Sequence, residues 1–179
     1  MQPLKRWMIA ASACGALLPL ARATPADISP YAPQRDAEIK ALGTDERAAL
    51  LAGKGMGLAK AAELNGYPGP MHVLELADEL NLDQAQREKS RQLFEGMRAA
   101  ARAAGAQLIE EERVLDTLYA TRSATAAKVK AQLERIEAVR TRLRALHLNA
   151  HLEQAALLAP SQLTRYAELR GYAPPHSGH

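Results

Sequence analysis

Between Met71 and Ala159 the chain contains no proline, and only Gly96 and Gly105 lower helix propensity across that span. A stretch this long without a breaker folds into whatever its apolar period dictates, and the period here is helical. Leu93, Met97, Ala101, Ala104, Leu108, Leu115 and Leu118 recur every three or four residues, which predicts one long helix from about Gln84 to Tyr119. Thr121-Arg122-Ser123-Ala124-Thr125 interrupts it, with Ser123 or Thr125 as the next N-cap. Val129, Leu133, Ile136, Val139, Leu143, Leu146 and Ala150 then carry a second helix to about Leu158. Two long helices joined by so short a break are antiparallel neighbours, so the expected class is all-α, built on a long antiparallel hairpin.

The flanks hold shorter elements. Pro160 suits the first position of a final helix through Leu169, because a first-turn N–H has no partner to lose, and Gly171 ends it. Residues 173–179 read as a flexible tail. Upstream, Pro25, Pro30 and Pro33 lie in a segment without apolar period, and residues 24–44 are expected to be an extended or disordered lead-in to a helical domain over 45–172. Asp45 to Lys60 suggests a short helix broken by Gly53, Gly55 and Gly57. The Gly53-Lys54-Gly55-Met56-Gly57 run lacks both the spacing and the preceding strand of a phosphate loop, which leaves a hinge. Asn65-Gly66-Tyr67-Pro68-Gly69-Pro70 is a firm turn, followed by a helix from Met71 to about Leu80.

The N-terminus carries an export signal. Lys5 and Arg6 precede an apolar run from Trp7 to Leu20 and an Ala21-Arg22-Ala23 cleavage pattern, so residues 1–23 read as a signal peptide and Thr24 as the mature start. The run falls short of the ~18–20 apolar residues that a bilayer-spanning helix needs, so no integral span is expected in the mature form. Cleavage removes three bases and no acid. The 23 Lys and Arg and 20 Asp and Glu of the full chain thereby become balanced, and the basic character (pI ≈ 9.1) belongs to the signal rather than to a nucleic-acid-binding face. Cys14 and Trp7 leave with it. A mature chain without cysteine suits an oxidising compartment and excludes thiol catalysis, disulfides and cysteine metal sites.

Two segments open helices alike, Leu82-Asp83-Gln84-Ala85-Gln86 and Leu158-Ala159-Pro160-Ser161-Gln162. In each, a Gln stands three residues after the cap position, where its side chain reaches back to the cap's backbone N–H. Asp83 can cap with its own side chain, whereas Ala159 cannot. This pair of Leu-x-x-x-Gln segments, flanking a long hairpin behind a signal peptide, resembles the Leu-Thr-x-x-Gln motifs of the Spy/CpxP family, related to heavy-metal-responsive proteins of the CnrX and ZraP type. The motif residues here are Leu82, Asp83, Gln86, Leu158, Pro160 and Gln162, and the resemblance spans about Met71 to Tyr172. It implies a periplasmic, non-enzymatic hooked hairpin that dimerises into a shallow cradle. Chaperone members of the family hold unfolded clients without ATP, adaptor members act in envelope stress, and metal-responsive members bind a transition metal in heavy-metal resistance.

The residues that bear on that choice are histidines. His147 and His151, spaced i and i+4 on the second long helix, project from one side about one turn apart and can supply two ligands to zinc, nickel or copper. His72, with Glu75 one turn on, begins the helix after the Pro-Gly-Pro turn, and a hooked hairpin would bring it toward His147 or His151. His176 and His179 lie in the tail, where ordering entropy opposes a specific site.

No cofactor is required by this reading, and a transition metal is the one ligand it suggests. A hairpin overlaid by a few short helices leaves apolar surface for a partner, either a second copy in a two-fold dimer or an unfolded client or envelope sensor. Which residues would touch a client is not legible. Arg87, Arg91, Arg98 and Arg102 on one helix and Arg135, Arg140, Arg142 and Arg144 on the other alternate with glutamates, as on a solvated, salt-bridged exterior. Ser90, Ser123 and Ser161 lack the setting of a hydrolytic nucleophile, so no enzyme activity is expected.

Overall fold

The computed structural model describes residues 28–173. The signal-peptide segment 1–23 and the tail histidines His176 and His179 lie outside the described residues. The chain divides after Pro33 into two units. Of the first, residues 28–33 are described and form a tight turn, in which the Ala32 N–H donates to the Ser29 carbonyl at 2.9 Å.

The second unit is helical: α1 (Thr44–Ala52), α2 (Lys60–Glu63), α3 (Pro70–Glu75), α4 (Gln84–Ala120), α5 (Ala126–Ala156) and α6 (Pro160–Leu169), with no strand among the described residues. α4 and α5 form the principal pairing, an antiparallel hairpin, with α1 and α3 laid on α4 and α2 on α5. The turn between them ends as the hydroxyls predict. Thr125, in extended conformation, accepts from the Lys128 N–H through its side chain, and it rather than Ser123 is the cap. The seam is apolar along Ala101, Ala104, Leu108, Ile136, Val139 and Leu143. Its rim is held by polar bonds from Gln132 to the Glu111 carbonyl (2.8 Å) and from Arg140 to Glu112 (2.7 Å).

Gly105 is where α1 crosses α4. A Cβ there would lie 2.5 Å from the Leu50 carbonyl oxygen, so the crossing needs a residue without a side chain. The Arg98 and Arg102 Nε–H groups donate to the carbonyls of Ala52 and Leu51, satisfying the end of α1. These two arginines are exposed, as expected, and also dock a helix. Ile39 and Leu42, within the segment expected to be extended or disordered, are almost fully buried beside Leu50 and the hairpin seam. The segment's described part holds a short 3-10 turn at Ala32–Gln34 and is otherwise irregular up to the start of α1, yet its last part belongs to the core.

A second core gathers Val73, Ala77, Leu80, Leu82, Leu158 and Tyr166. α3 is shorter than its pattern suggests. It ends at Glu75, capped by Leu76, and the chain continues in turns through Asn81 at φ 49°, which brings Leu80 and Leu82 into one core with Leu158 and Tyr166.

Candidate functional site

Both Leu-x-x-x-Gln segments start helices as expected, and the structure brings them together. Leu82 and Leu158 are buried in the second core, Asp83 accepts from the Gln86 N–H at 2.7 Å, and Pro160 occupies the first turn of α6. Gln86 and Gln162 return to the N–H groups of Asp83 (3.1 Å) and Ala159 (2.9 Å). These motif residues organise the fold; the chemically richer ground lies on the other side of α3.

There His72, His147 and His151 line the same two adjoining cavities, of about 460 and 360 Å³. The approach of His72 to the α5 pair follows from the Tyr67-Pro68-Gly69-Pro70 turn, whose Pro68, Gly69 and Pro70 are buried against α5. A Cβ on Gly69 would stand 3.0 Å from the His151 ring, and one on Gly55 would stand 3.6 Å from the His147 ring. Glycine lets the Gly69 turn close on His151, whereas the Gly55 loop meets His147 at ordinary contact distance. The Gly-Lys-Gly-Met-Gly run is accordingly a wall of the site rather than a free hinge. Gly53 at φ 68° ends α1, and a Cβ there would meet the Arg98 carbonyl at 2.7 Å.

Each imidazole has a defined setting. His151 Nδ1 lies 2.7 Å from the Tyr67 carbonyl oxygen and 3.5 Å from Glu63 Oε2. Both are acceptors, so Nδ1 carries a proton, and in the neutral form of the ring the lone pair is on Nε2. His72 Nδ1 lies 2.8 Å from Glu75 Oε2, which selects the same tautomer. His147 is 4 % exposed, and its Nε2 is buried without a protein partner. Burial, and secondarily the nearby His151, hold its imidazole below the ordinary value of 6.5, so it is neutral at neutral pH.

Glu63, which sequence reading did not single out, anchors the wall behind His151. Its Oε1 accepts from the hydroxyls of Tyr166 (2.5 Å) and Tyr172 (3.1 Å), and its Oε2 accepts from the Gly69 N–H (3.1 Å). Burial and the bond to Glu63 push the Tyr166 phenol well above its ordinary value, so it stays a donor. The only sequence signal for this set was the concentration of Tyr, Pro and Gly in the turn and the two tyrosines around α6.

As donors, three imidazoles, two of them with Nδ1 set against oxygen acceptors, are of the type that divalent transition metals select. As an arrangement they are incomplete. Among the described residues, no three His, Cys, Asp or Glu side chains surround a common point as a metal ion requires. The His147 and His151 pair on α5 is the available donor set, and His72 is turned to Glu75. No helix among the described residues is long and apolar enough to cross a membrane. Comparison with family models, curated proteins and solved structures finds no match for the chain.

Proposed function

We propose that this is an exported, periplasmic helical-hairpin protein of the Spy/CpxP kind whose work is to bind a transition metal, zinc, nickel or copper, at His147 and His151, with His72 as a third donor. The observation that carries this reading is the setting of His151 Nδ1 against two oxygen acceptors. Its Nδ1–H is committed to the Tyr67 carbonyl and backed by Glu63, which leaves Nε2 as a ligand atom beside a buried, neutral His147. A metal on His72 Nε2 would keep the Nδ1 contact to Glu75 as its orienting bond and so tie the α3 segment to occupancy.

Calorimetric titration with zinc, nickel and copper tests it, using the mature chain with His176 and His179 replaced by alanine. Binding that is lost in a His147→Ala, His151→Ala variant of unchanged helicity supports the reading; equal binding by parent and variant sinks it. His72→Ala should weaken binding by about tenfold to a hundredfold if His72 joins the site.

A second reading is the ATP-independent chaperone or stress adaptor that the family resemblance implies. Val114, Tyr119, Leu133 and Leu152 of the hairpin are exposed although apolar, surface that a second copy or an unfolded client would cover. Suppression of client aggregation at stoichiometric protein, with or without metal, is its test, and absence of any effect would leave the metal reading alone.

A further inference from the structure

The larger of the two cavities has an unbalanced lining. Lys54, Arg98 and the three imidazoles contribute to it, while no Asp or Glu does, and its remaining surface includes Pro70, Met71, Phe94 and Met97. Neither Lys54 nor Arg98 has a carboxylate within 4.0 Å among the described residues, although most of the arginines on the hairpin are ion-paired or hydrogen-bonded to a side chain. Arg98 spends its Nε–H on the Ala52 carbonyl and lies 6.0 Å from the Phe94 ring centroid, which leaves its terminal nitrogens for the cavity and fixes the guanidinium against an apolar floor. His147 adds a polar atom of its own, a buried Nε2 without a protein partner.

We propose that this cavity binds a small organic anion, a compound with one carboxylate or phosphate head and a short apolar body. The head would meet Lys54 and Arg98 at the rim, where two cations stand without counter-charge, and the body would lie on Met71, Phe94 and Met97. About 460 Å³ falls within the ~300–1,000 Å³ range of small-molecule sites, and a mostly apolar wall with a few convergent polar groups is their usual make-up. The proposal rests on Lys54, Arg98 and the apolar floor rather than on the imidazoles, so it stands or falls without metal.

The test is titration of the full mature chain with octanoate, followed by amide chemical shifts, in EDTA throughout so that metal plays no part. Octanoate should shift residues near Lys54, Gly55, His72, Met97 and Arg98 to saturation. Octanol, with the same body and no charge, should bind at least about threefold to fivefold more weakly, as should octanoate to Lys54→Gln. Lys54 is exposed and its one hydrogen bond, from its backbone N–H to the Ala49 carbonyl, is kept by glutamine, so that variant folds as the parent does; Arg98→Lys, which keeps the charge, should retain binding. Octyl phosphate against inorganic phosphate separates an amphipathic ligand from a bare anion. Equal binding of octanol and octanoate, an unchanged Lys54→Gln, inorganic phosphate binding as tightly as octyl phosphate, or shifts centred elsewhere would each overturn the proposal.

Discussion

The side-chain amides of Gln86 and Gln162 bond each other in both directions, at 2.8 and 3.0 Å, although 76 residues separate them. Each carbonyl oxygen also accepts from the N–H at the start of its own helix, and each amide nitrogen reaches one further carbonyl, Leu157 at 3.0 Å for Gln86 and Leu80 at 3.2 Å for Gln162. The two helix starts are thereby tied by a closed set of bonds in which neither amide is left short of a partner. Replacing either Gln by Ala strands the other, at a cost of about 1–3 kcal/mol. Urea unfolding should show that the double variant costs clearly less than the sum of the singles. Gln86→Glu should also destabilise, since a carboxylate cannot donate to Leu157.

Ala159 has the extended conformation of an N-cap (φ −71°, ψ 155°) and no side chain to cap with. Ala159→Ser should therefore stabilise by about 0.5–1 kcal/mol, whereas Asp83→Ala should cost about 1 kcal/mol by losing the bond to Gln86 N–H. The midpoint of chemical unfolding would move in opposite directions for the two.

The two glycines of α4 should respond oppositely to alanine. Nothing lies within 4 Å of a Cβ on Gly96, so Gly96→Ala gains helix propensity of about 0.5–1 kcal/mol. Gly105→Ala would force α1 off α4 at Leu50 and should lose more than that gain, with a lower thermal midpoint.

For pH, the sign follows from His147. Its imidazole titrates below 6.5 in the folded chain, so as pH falls through that value the unfolded chain takes up a proton that the folded chain refuses. Stability is fully present above this window and declines below it. Thermal melts at pH 7.5 and 5.5, in chelator, should show a drop that is smaller in His147→Gln. An equal drop in both would remove His147 from the account. Glu38, held below the ordinary carboxylate value by bonds to Arg113 and Arg47, acts at more acidic pH and in both chains alike.

Tyr166→Phe removes a buried hydroxyl bond to Glu63 and should cost about 1–3 kcal/mol. Because Glu63 also holds the Gly69 N–H, hydrogen exchange should quicken in the Tyr67–Pro70 turn as well as in α6. Exchange confined to α6 would mean that the turn stands without it.

The helices were legible because continuous periodicity and local caps agree: Asp83 caps α4 and Pro160 opens α6 as side-chain chemistry dictates, while the choice between Ser123 and Thr125 as the cap of α5 needed the coordinates. The hairpin histidines were legible as a pair for the same reason, spacing on one helix. What escaped depends on contacts between distant segments. Ile39 and Leu42 lie in irregular chain, where no period marks an inward face. Gly105 reads as a weak helix residue until α1 is seen crossing it, and Arg98 and Arg102 read only as solvated until their carbonyl partners, 46 and 51 residues away, are in place. His72 was placed near the pair by the implied hook, but its Nδ1 contact with Glu75 and the role of Glu63 required coordinates.

The Glu63 bonds have a consequence in time. Tyr166 and Tyr172 reach that carboxylate from 103 and 109 residues away, whereas α4 and α5 meet through the short turn at 121–125. Loop-closure entropy charges the distant pairing more, so the hairpin zips from its turn outward while the histidine-lined cavity waits for the last helix to arrive. The same order runs backwards on opening. The wall behind the histidine-lined cavity is accordingly expected to close after the hairpin seam and to open before it, and loss of the Tyr166 and Tyr172 bonds to Glu63 bears on the setting of His151 before it bears on that seam.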